Sequence, residues 1–272
     1  MSDQEKNDFS DKLLDNEWVA ARERLRGLER NQDPATFEYL QRIGVGDGWH
    51  CLEIGGGGGS VAEWLCQQVG VNGRVVATDI NPRFLEGLDY PNLEVLRHDL
   101  ESDDLPRGAF DVVHTRAVLV HIRERNHAIQ KLMDALKPGG WMLLEEPDHI
   151  TIEADPVGAA SSQRLFNKVI EIQNASWQKR GQDIRIGSQL FGILRELGFE
   201  SIEAEGRARV FRGGSPEVEF HRVSYQQLRD LILTSGRMTE DAYNRFLALF
   251  DDPSFAFRFF LVMSAWGRKP QP

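Results

Sequence analysis

Five consecutive glycines, Gly55 to Gly59, join a short apolar run ending in Glu53-Ile54 to an amphipathic segment that opens at Ser60. Glycine loses more backbone freedom on folding than any other residue, about 0.5–1 kcal/mol relative to alanine within a regular element, so such a run serves a purpose that side chains would obstruct. A flexible linker explains it poorly, because linkers mix glycine with serine over longer tracts and do not join a strand directly to a helix. The run therefore reads as a strand-to-helix turn that lets a ligand lie against bare backbone.

The surrounding sequence alternates between two periods. Short β-branched runs at His50 to Ile54, Arg74 to Asp79, Asn92 to Arg97, Asp111 to Thr115 and Trp141 to Glu146 are separated by helical patterns, which is the signature of βαβ units and a parallel sheet. Val61, Leu65 and Val69 line one helix face that ends at Gly70. Ile129, Leu132, Met133 and Leu136 line another, and Lys137-Pro138-Gly139-Gly140 breaks it just before a strand. Val112-Val113 and Met142-Leu143-Leu144 are continuous apolar runs, as expected of strands covered by helices on both faces.

The flanks follow a different rhythm. Residues 1–42 read as an N-terminal helical cap carrying Leu13, Leu14, Trp18, Leu25 and Leu28, with Asp33-Pro34 opening a second short helix. After Pro147 come a long helix from Pro156 to about Arg180 and a helix from Gly187 to Leu197 closed by Gly198. One strand follows from Phe199 to Phe211, then a mostly helical stretch, then a last buried strand within Ser254 to Trp266. Helical insertions are expected at 155–182 and 213–253, with the principal domain running over 43–272.

Composition narrows the function classes. A chain of 272 residues, 41% hydrophobic, has room for one large globular domain, and a net charge of −10 argues against a nucleic-acid partner, which calls for a concentrated basic face. No segment is long and apolar enough to span a bilayer, so no membrane partner is expected. The polar opening, MSDQEKNDFSDK, lacks the cationic start and apolar core of a secretory signal, and a cytoplasmic location is expected. Cys51 and Cys66 offer neither a disulfide framework nor a metal spacing, and are expected as free, buried thiols.

In open α/β sheets ligands bind outside the carboxyl ends of the strands. Three acids, Glu53, Asp79 and Asp99, converge on that rim, which would welcome a cationic, hydroxyl-rich ligand and repel a pyrophosphate. The dinucleotide fingerprint fits badly, since Gly55-x-Gly57-x-x leads to Ser60 and the shifted frame leads to Val61. The pattern E-x-G-x-G-x-G is instead realised as Glu53-Ile54-Gly55-Gly56-Gly57-Gly58-Gly59, followed by Asp79 and by Arg97-His98-Asp99-Leu100.

With these motifs, and with Phe110 to Ile122 and Leu136 to Glu146, the chain resembles the class I S-adenosylmethionine-dependent methyltransferases from about Ile43 to Asp148. The closest flavour is the small-molecule type of ubiquinone and menaquinone biosynthesis and of natural-product pathways. The resemblance implies a seven-stranded, mostly parallel Rossmann-like α/β sheet with helices on both faces and helical lid insertions. It implies S-adenosyl-L-methionine as cofactor. Gly55, Gly57 and Gly59 would set backbone amides against its methionyl part, with Glu53 near the ammonium. Asp79 would accept the ribose hydroxyls, Asp99 and the Leu100 backbone would read the adenine, Ile80 would flank the ring, and Thr115 and Arg116 would border the sulfonium.

Methyl transfer needs an aligned nucleophile, and a base only when that nucleophile must shed a proton. His121 and Glu146 are the candidate bases, the latter because alternate residues on a strand face opposite ways and Glu146 would point to the pocket while Glu145 points away. Substrate contacts are expected from His149, Trp177, His221 and Tyr225, with Phe250 beside them, although an aromatic stripe at helical spacing is more often core. A metal held by the acids with His149 is the weaker idea, since no second histidine has ligand spacing, and no metal is expected. The expected function is methylation at O, N or C of a small, partly apolar metabolite. RNA or protein methylation, a non-catalytic cofactor-binding module and a nicotinamide dehydrogenase are the alternatives. Assembly is left open, a homodimer included.

Overall fold

The computed structural model describes Leu14 and residues 16–271. Contacts divide the described residues into two units, one drawn from 32–147, 185–206 and 262–271, the other from 16–31, 148–184 and 207–261. The expected insertions at 155–182 and 213–253 fall in the second of these.

The first unit carries a seven-stranded sheet in the order β3-β2-β1-β4-β5-β10-β7. Its strands are β1 (His50–Ile54), β2 (Arg74–Asp79), β3 (Leu93–Arg97), β4 (Phe110–Arg116), β5 (Leu136–Asp148), β7 (Glu200–Arg207) and β10 (Leu261–Arg268). β1 lies parallel to β2 and β4, and the parallel pairing continues from β2 to β3 and from β4 to β5. The chain turns from β1 outward in one direction to β2 and β3, then returns to place β4 on the other side of β1. The C-terminal end of β1 is therefore the point where strand order reverses, and the glycine run leaves from it.

Residue parity along the strands decides which helix each side chain meets. Cys51, Val75, Val112, Leu143 and Trp266 pack with Tyr39, Leu40 and Ile43 of α1 (Ala21–Ile43) and with Val61, Leu65 and Val69 of α2 (Ser60–Val69). Leu52, Val76, Val113, Met142 and Leu144 face the other way, onto Ile129 and Leu132 of α3 (Arg125–Ala135) and Leu190 and Leu194 of α5 (Leu190–Glu196). Helices thus cover both faces, as the continuous apolar runs imply. Both cysteines are free and buried, and burial raises both thiols, that of Cys66 to about 11.

The second unit is built on a small antiparallel sheet in the order β6-β9-β8, from β6 (Glu153–Ala154), β8 (Val210–Arg212) and β9 (Ala256–Arg258). Its helices are α4 (Ala160–Lys179), α6 (Glu219–Gln227), α7 (Arg229–Thr234) and α8 (Glu240–Ala248). Phe166, Phe246, Phe250 and Phe257 form its centre, with Phe166 and Phe257 ring centroids 5.0 Å apart. None of the described helices is long and apolar enough to cross a membrane.

Four sequence expectations change. The single strand from Phe199 to Phe211 is two, β7 and β8, and the last strand likewise divides into β9 and β10, one of each pair joining each sheet. Local alternation runs through the first break and a continuous apolar run, Phe259 to Met263, through the second, so only strand pairing distinguishes the halves; the Phe259 N–H donates to the Arg209 carbonyl at 2.7 Å where they part. Lys137 to Gly140 does not precede β5 but bulges within it, since Phe110 pairs with Leu136 and Val112 with Trp141. No helix starts at Pro34. α1 runs through it, and the Asp33 carboxylate expected as a cap accepts from Arg116 and Ser60 instead.

A proline inside a helix removes one backbone hydrogen bond and crowds the preceding turn, at a cost of about 3 kcal/mol. Pro34→Ala is therefore expected to raise the unfolding free energy by about 1–3 kcal/mol, measured by chemical denaturation; an unchanged or lower value would show that the proline is accommodated without loss.

Candidate active site

The glycine turn is made by backbone handedness. Gly55, Gly57 and Gly59 have φ of 70°, 52° and 94°, in the region that side chains disfavour. Gly55 is doubly constrained, because a Cβ there would lie 2.3 Å from Val118 Cγ2. Gly56 is closely packed, a Cβ there lying 3.0 and 3.1 Å from the Leu85 methyls, so a side chain would require Leu85 to shift by a few tenths of an ångström. The Gly56 N–H donates to the Thr78 carbonyl and the Gly59 N–H to the Gly56 carbonyl, both at 2.8 Å.

Asp79, at the end of β2, is buried and tied to this turn. Its Oδ2 accepts from the Gly57 N–H at 3.0 Å and its Oδ1 from the Asn81 N–H at 2.9 Å. Ile80 beside it is 52% exposed, an apolar side chain presented at the strand ends. Asp99 is exposed, with Oδ1 accepting from the Glu101 N–H. Leu100 is buried and its carbonyl accepts from Lys131 Nζ at 2.7 Å.

Behind the turn lies a chain of buried charged and polar groups that begins at Glu53. Parallel pairing sets Glu53 opposite His114, and His114 Nδ1 lies 2.5 Å from Glu53 Oε2 while Nε2 lies 3.1 Å from Glu145 Oε2. The His114 ring has no exposure. Burial acts to lower its pKa, but the charge of Glu53 and the hydrogen bonds to Glu145 and Glu53 outweigh this and raise it to about 9. Burial acts to raise Glu145 as well, and the His114 bond and charge hold it below the usual carboxylate range. Glu145 also accepts from Thr36 Oγ1 at 2.5 Å and from Ser264 Oγ at 2.6 Å. Arg116 then donates to Thr36 Oγ1 and to Asp33 Oδ1, each at 2.9 Å, and Ser60 Oγ donates to the same Asp33 oxygen at 3.1 Å. Arg116, expected beside the sulfonium, is thus engaged inside this chain.

Glu146 points to the opposite side of β5 from Glu145, as strand parity requires, but it does not stand free as a base. Oε1 accepts from the Val118 and Leu119 N–H groups at 2.9 and 2.7 Å, and Oε2 from Val120 N–H at 3.2 Å. Burial raises its pKa to about 7 against the opposing pull of these three bonds. It anchors the segment after β4, where Ala117 takes the unusual φ of 56° and its N–H donates to the Glu145 carbonyl at 2.8 Å. Thr115, buried at the end of β4, has an Oγ1 with no hydrogen-bond partner among the described residues. His121 ends the following 3₁₀ turn, Leu119–His121, and is exposed.

The four residues expected to touch substrate all belong to the second unit, where they form one aromatic group. His149 lies edge-on to Trp177 at 4.5 Å and to Phe260 at 4.9 Å, His221 lies 5.9 Å from Phe260, and Tyr225 lies 6.1 Å from His221. Burial lowers the His221 pKa to about 3, so its ring is neutral, and its Nε2 has no partner among the described residues. Burial also raises the Tyr225 hydroxyl.

Sequence inspection missed His114, Thr36, Asp33 and Ser264 as members of one network. A polar residue within an apolar buried strand is a signal, and His114 in Val112-Val113-His114 and Ser264 in Val262-Met263-Ser264-Ala265 both show it. Their partners are far away in sequence, and only strand register brings them together.

Two measurements follow. His114 is raised above its ordinary value in the folded state, so its contribution to stability is complete below pH 6.5 and is lost as pH rises through about 9. Denaturation as a function of pH should show that decline in the unaltered protein and its absence in His114→Gln. Gly55→Ala should lower stability by about 1–2 kcal/mol from handedness, with the Val118 clash adding to it; no change would mean that the turn relaxes.

A sequence profile described as a methyltransferase domain matches residues 13–204, a longer stretch than the one that carries the motifs. The ubiquinone/menaquinone biosynthesis C-methyltransferase UbiE of Pseudomonas entomophila (strain L48) is 28% identical over 196 residues, 65% of this chain and 77% of that protein. UbiE of Laribacter hongkongensis (strain HLHK9) is 28% identical over 179 residues, covering 60% of this chain and 72% of its own. Among solved structures, a Bacillus halodurans C-125 protein described as a methyltransferase superposes with a TM-score of 0.56 at 20% identity, covering 86% of this chain and 98% of its own. Phosphoethanolamine N-methyltransferase 2 of Haemonchus contortus, solved with S-adenosyl-L-methionine, gives 0.51 at 18% identity and covers 88% of this chain and 53% of its own. The structural likenesses speak to the fold, and the profile to the family: the chain belongs to the methyltransferase-domain family and is a class I S-adenosylmethionine-dependent methyltransferase.

Proposed function

We propose that this enzyme methylates O, N or C of a small, partly apolar metabolite, in secondary or cofactor metabolism. The observation that carries the reading is the pairing of a side-chain-free turn with carboxylates at the ends of adjacent strands. Glu53 and Asp79 offer acceptors suited to an ammonium and to ribose hydroxyls, and the left-handed backbone of Gly55, Gly57 and Gly59 carries no side chain to obstruct a ligand there. S-adenosylmethionine supplies an electrophilic methyl on a cationic sulfur, and the residues of this chain fit it.

Within that assignment Glu53 takes the methionyl ammonium. Asp79, whose carboxylate already accepts from the Gly57 and Asn81 amides, takes the ribose hydroxyls, since each carboxylate oxygen accepts more than one bond. Ile80 covers one face of the adenine, and Asp99 with the Leu100 N–H reads its edge. Thr115 borders the sulfonium, with a hydroxyl not otherwise engaged among the described residues. Arg116 is left to the buried network, and Glu146 to the segment 118–120.

Substrate recognition is assigned to the aromatic group of His149, Trp177, His221 and Tyr225. Its rings carry no charge at His221, and the unpartnered His221 Nε2 provides one polar contact, which together suit a molecule that is mostly apolar with a few polar groups. Alignment of the nucleophile provides most of the rate gain in such a displacement, about 7–11 kcal/mol in favourable cases. Where the nucleophile carries a proton, exposed His121 is the assigned acceptor. The similarity to UbiE, described as a C-methyltransferase, supports testing methylation at carbon among the first reactions.

The test is incubation with methyl-labelled S-adenosylmethionine and a metabolite panel that includes quinol precursors, with transferred label scored by mass spectrometry. Transfer to one small-molecule class is expected. Transfer to RNA or protein alone, or tight cofactor binding with no transfer at all, would replace the proposal with one of its alternatives. Asp79→Ala should weaken cofactor binding by about tenfold or more, because a hydrogen bond to a charged group contributes about 1.5–3 kcal/mol. Calorimetric titration measures it, and unaltered affinity would remove Asp79 from the site.

A further inference from the structure

We propose that His114 is a positioning residue that holds the Glu53 side chain in place for the cofactor's ammonium while cancelling the charge of Glu145. The proposal rests on the assignment of Glu53 made above. Its basis is the geometry of the ring. Both nitrogens face carboxylate oxygens, at 2.5 and 3.1 Å, with no exposure to water. A neutral imidazole has one donor and one acceptor, and would set its lone pair against one of the two carboxylates. Only the imidazolium donates to both.

Charge accounting gives the arrangement a purpose beyond packing. With His114 protonated, the trio Glu53, His114 and Glu145 carries one net negative charge. Glu145 spends its other interactions on Thr36 and Ser264. Glu53 accepts no side-chain bond other than that of His114 among those described, so the residual charge belongs to the Glu53 end, next to the glycine turn.

Stability alone does not account for such an arrangement, because desolvation of buried ion pairs commonly equals or exceeds their attraction and apolar replacements of similar volume are often tolerated. β4 is otherwise apolar at its centre, where Val112 and Val113 precede His114. The chain also closes on itself around the turn. From Glu53 it passes through His114, Glu145, Thr36, Arg116 and Asp33 to Ser60, the first residue of α2. Glu53 precedes the five glycines and Ser60 follows them. The two flanks of the turn are therefore joined by side chains as well as by backbone, and His114 is the link nearest the cofactor end.

The test separates an effect on the ammonium from a general effect on the fold. Full-length protein, His114→Gln, Glu53→Gln and the double variant are titrated with S-adenosylhomocysteine, which keeps the amino-acid part, and with 5′-methylthioadenosine, which lacks it. His114→Gln should weaken S-adenosylhomocysteine by about tenfold or more, the size of one hydrogen bond to a charged group, and leave methylthioadenosine within about threefold. The double variant should bind S-adenosylhomocysteine no more weakly than Glu53→Gln does, because His114 acts through that residue. Equal loss for both ligands, or independent multiplication of the two single effects, would overturn the proposal. If Glu53→Gln leaves the ratio of the two affinities unchanged, the assignment of Glu53 fails instead. Nitrogen-15 shifts of the His114 ring in the unaltered protein at pH 8 provide a reading that needs no variant: two protonated nitrogens are expected, and a neutral ring would end the proposal.

Discussion

A fully buried imidazole between two carboxylates governs the arrangement of the strand ends. Moving charged groups away from water is costly unless each is paired and hydrogen-bonded. Here Glu53, His114 and Glu145 satisfy one another across β1, β4 and β5, and Thr36 and Ser264 supply the remaining contacts to Glu145. The consequence is geometric. α1, through Thr36 and Asp33, and α2, through Ser60, are bound to the same chain of groups, so the start of α2 and the end of β1 are set in relation to each other on both sides of the glycine turn.

The acidic residues at the rim divide their work. Asp79 and Glu146 both accept backbone N–H groups, the former from Gly57 and Asn81, the latter from Val118, Leu119 and Val120. Each organises a segment that leaves a strand, and these amides have no strand or helix partner to serve them. The two segments also meet, since Gly55 has room for no side chain beside Val118. Glu145 and Glu146, adjacent in sequence, thus serve opposite faces of β5: one neutralises a buried cation, the other holds a turn.

The aromatic group of the second unit follows a different principle. Its centre is Phe166, Phe246, Phe250 and Phe257, an ordinary core; His221 and Tyr225 adjoin it, and His149 with Trp177 connects to His221 through Phe260. Tyr225 stacks on Phe250 at 6.0 Å and meets Phe246 edge-on at 4.9 Å, so it contributes to packing whatever else it does. His221 Nε2 is a polar atom that packing leaves without a hydrogen-bond partner among the described residues.

Periodicity in the sequence determined the parallel sheet, the helices on both its faces and the position of the glycine turn, because each of these is a local preference repeated along the chain. The motif E-x-G-x-G-x-G marked Gly55, Gly57 and Gly59, the glycines of the run that adopt left-handed backbone, and the structure adds close packing against Leu85 at Gly56. Strand divisions at Ala208-Arg209 and Phe259-Phe260 were hidden, since alternation continues through the first and an unbroken apolar run through the second while the pairing partner changes. So were the true surroundings of Arg116 and Glu146. The sequence named both residues as acidic or basic groups near the ligand, but which of them faces solvent, which accepts amides and which joins Asp33 depends on side chains that are tens of residues away. Charge pairing inside a sheet is set by register between strands, and register belongs to the tertiary structure alone.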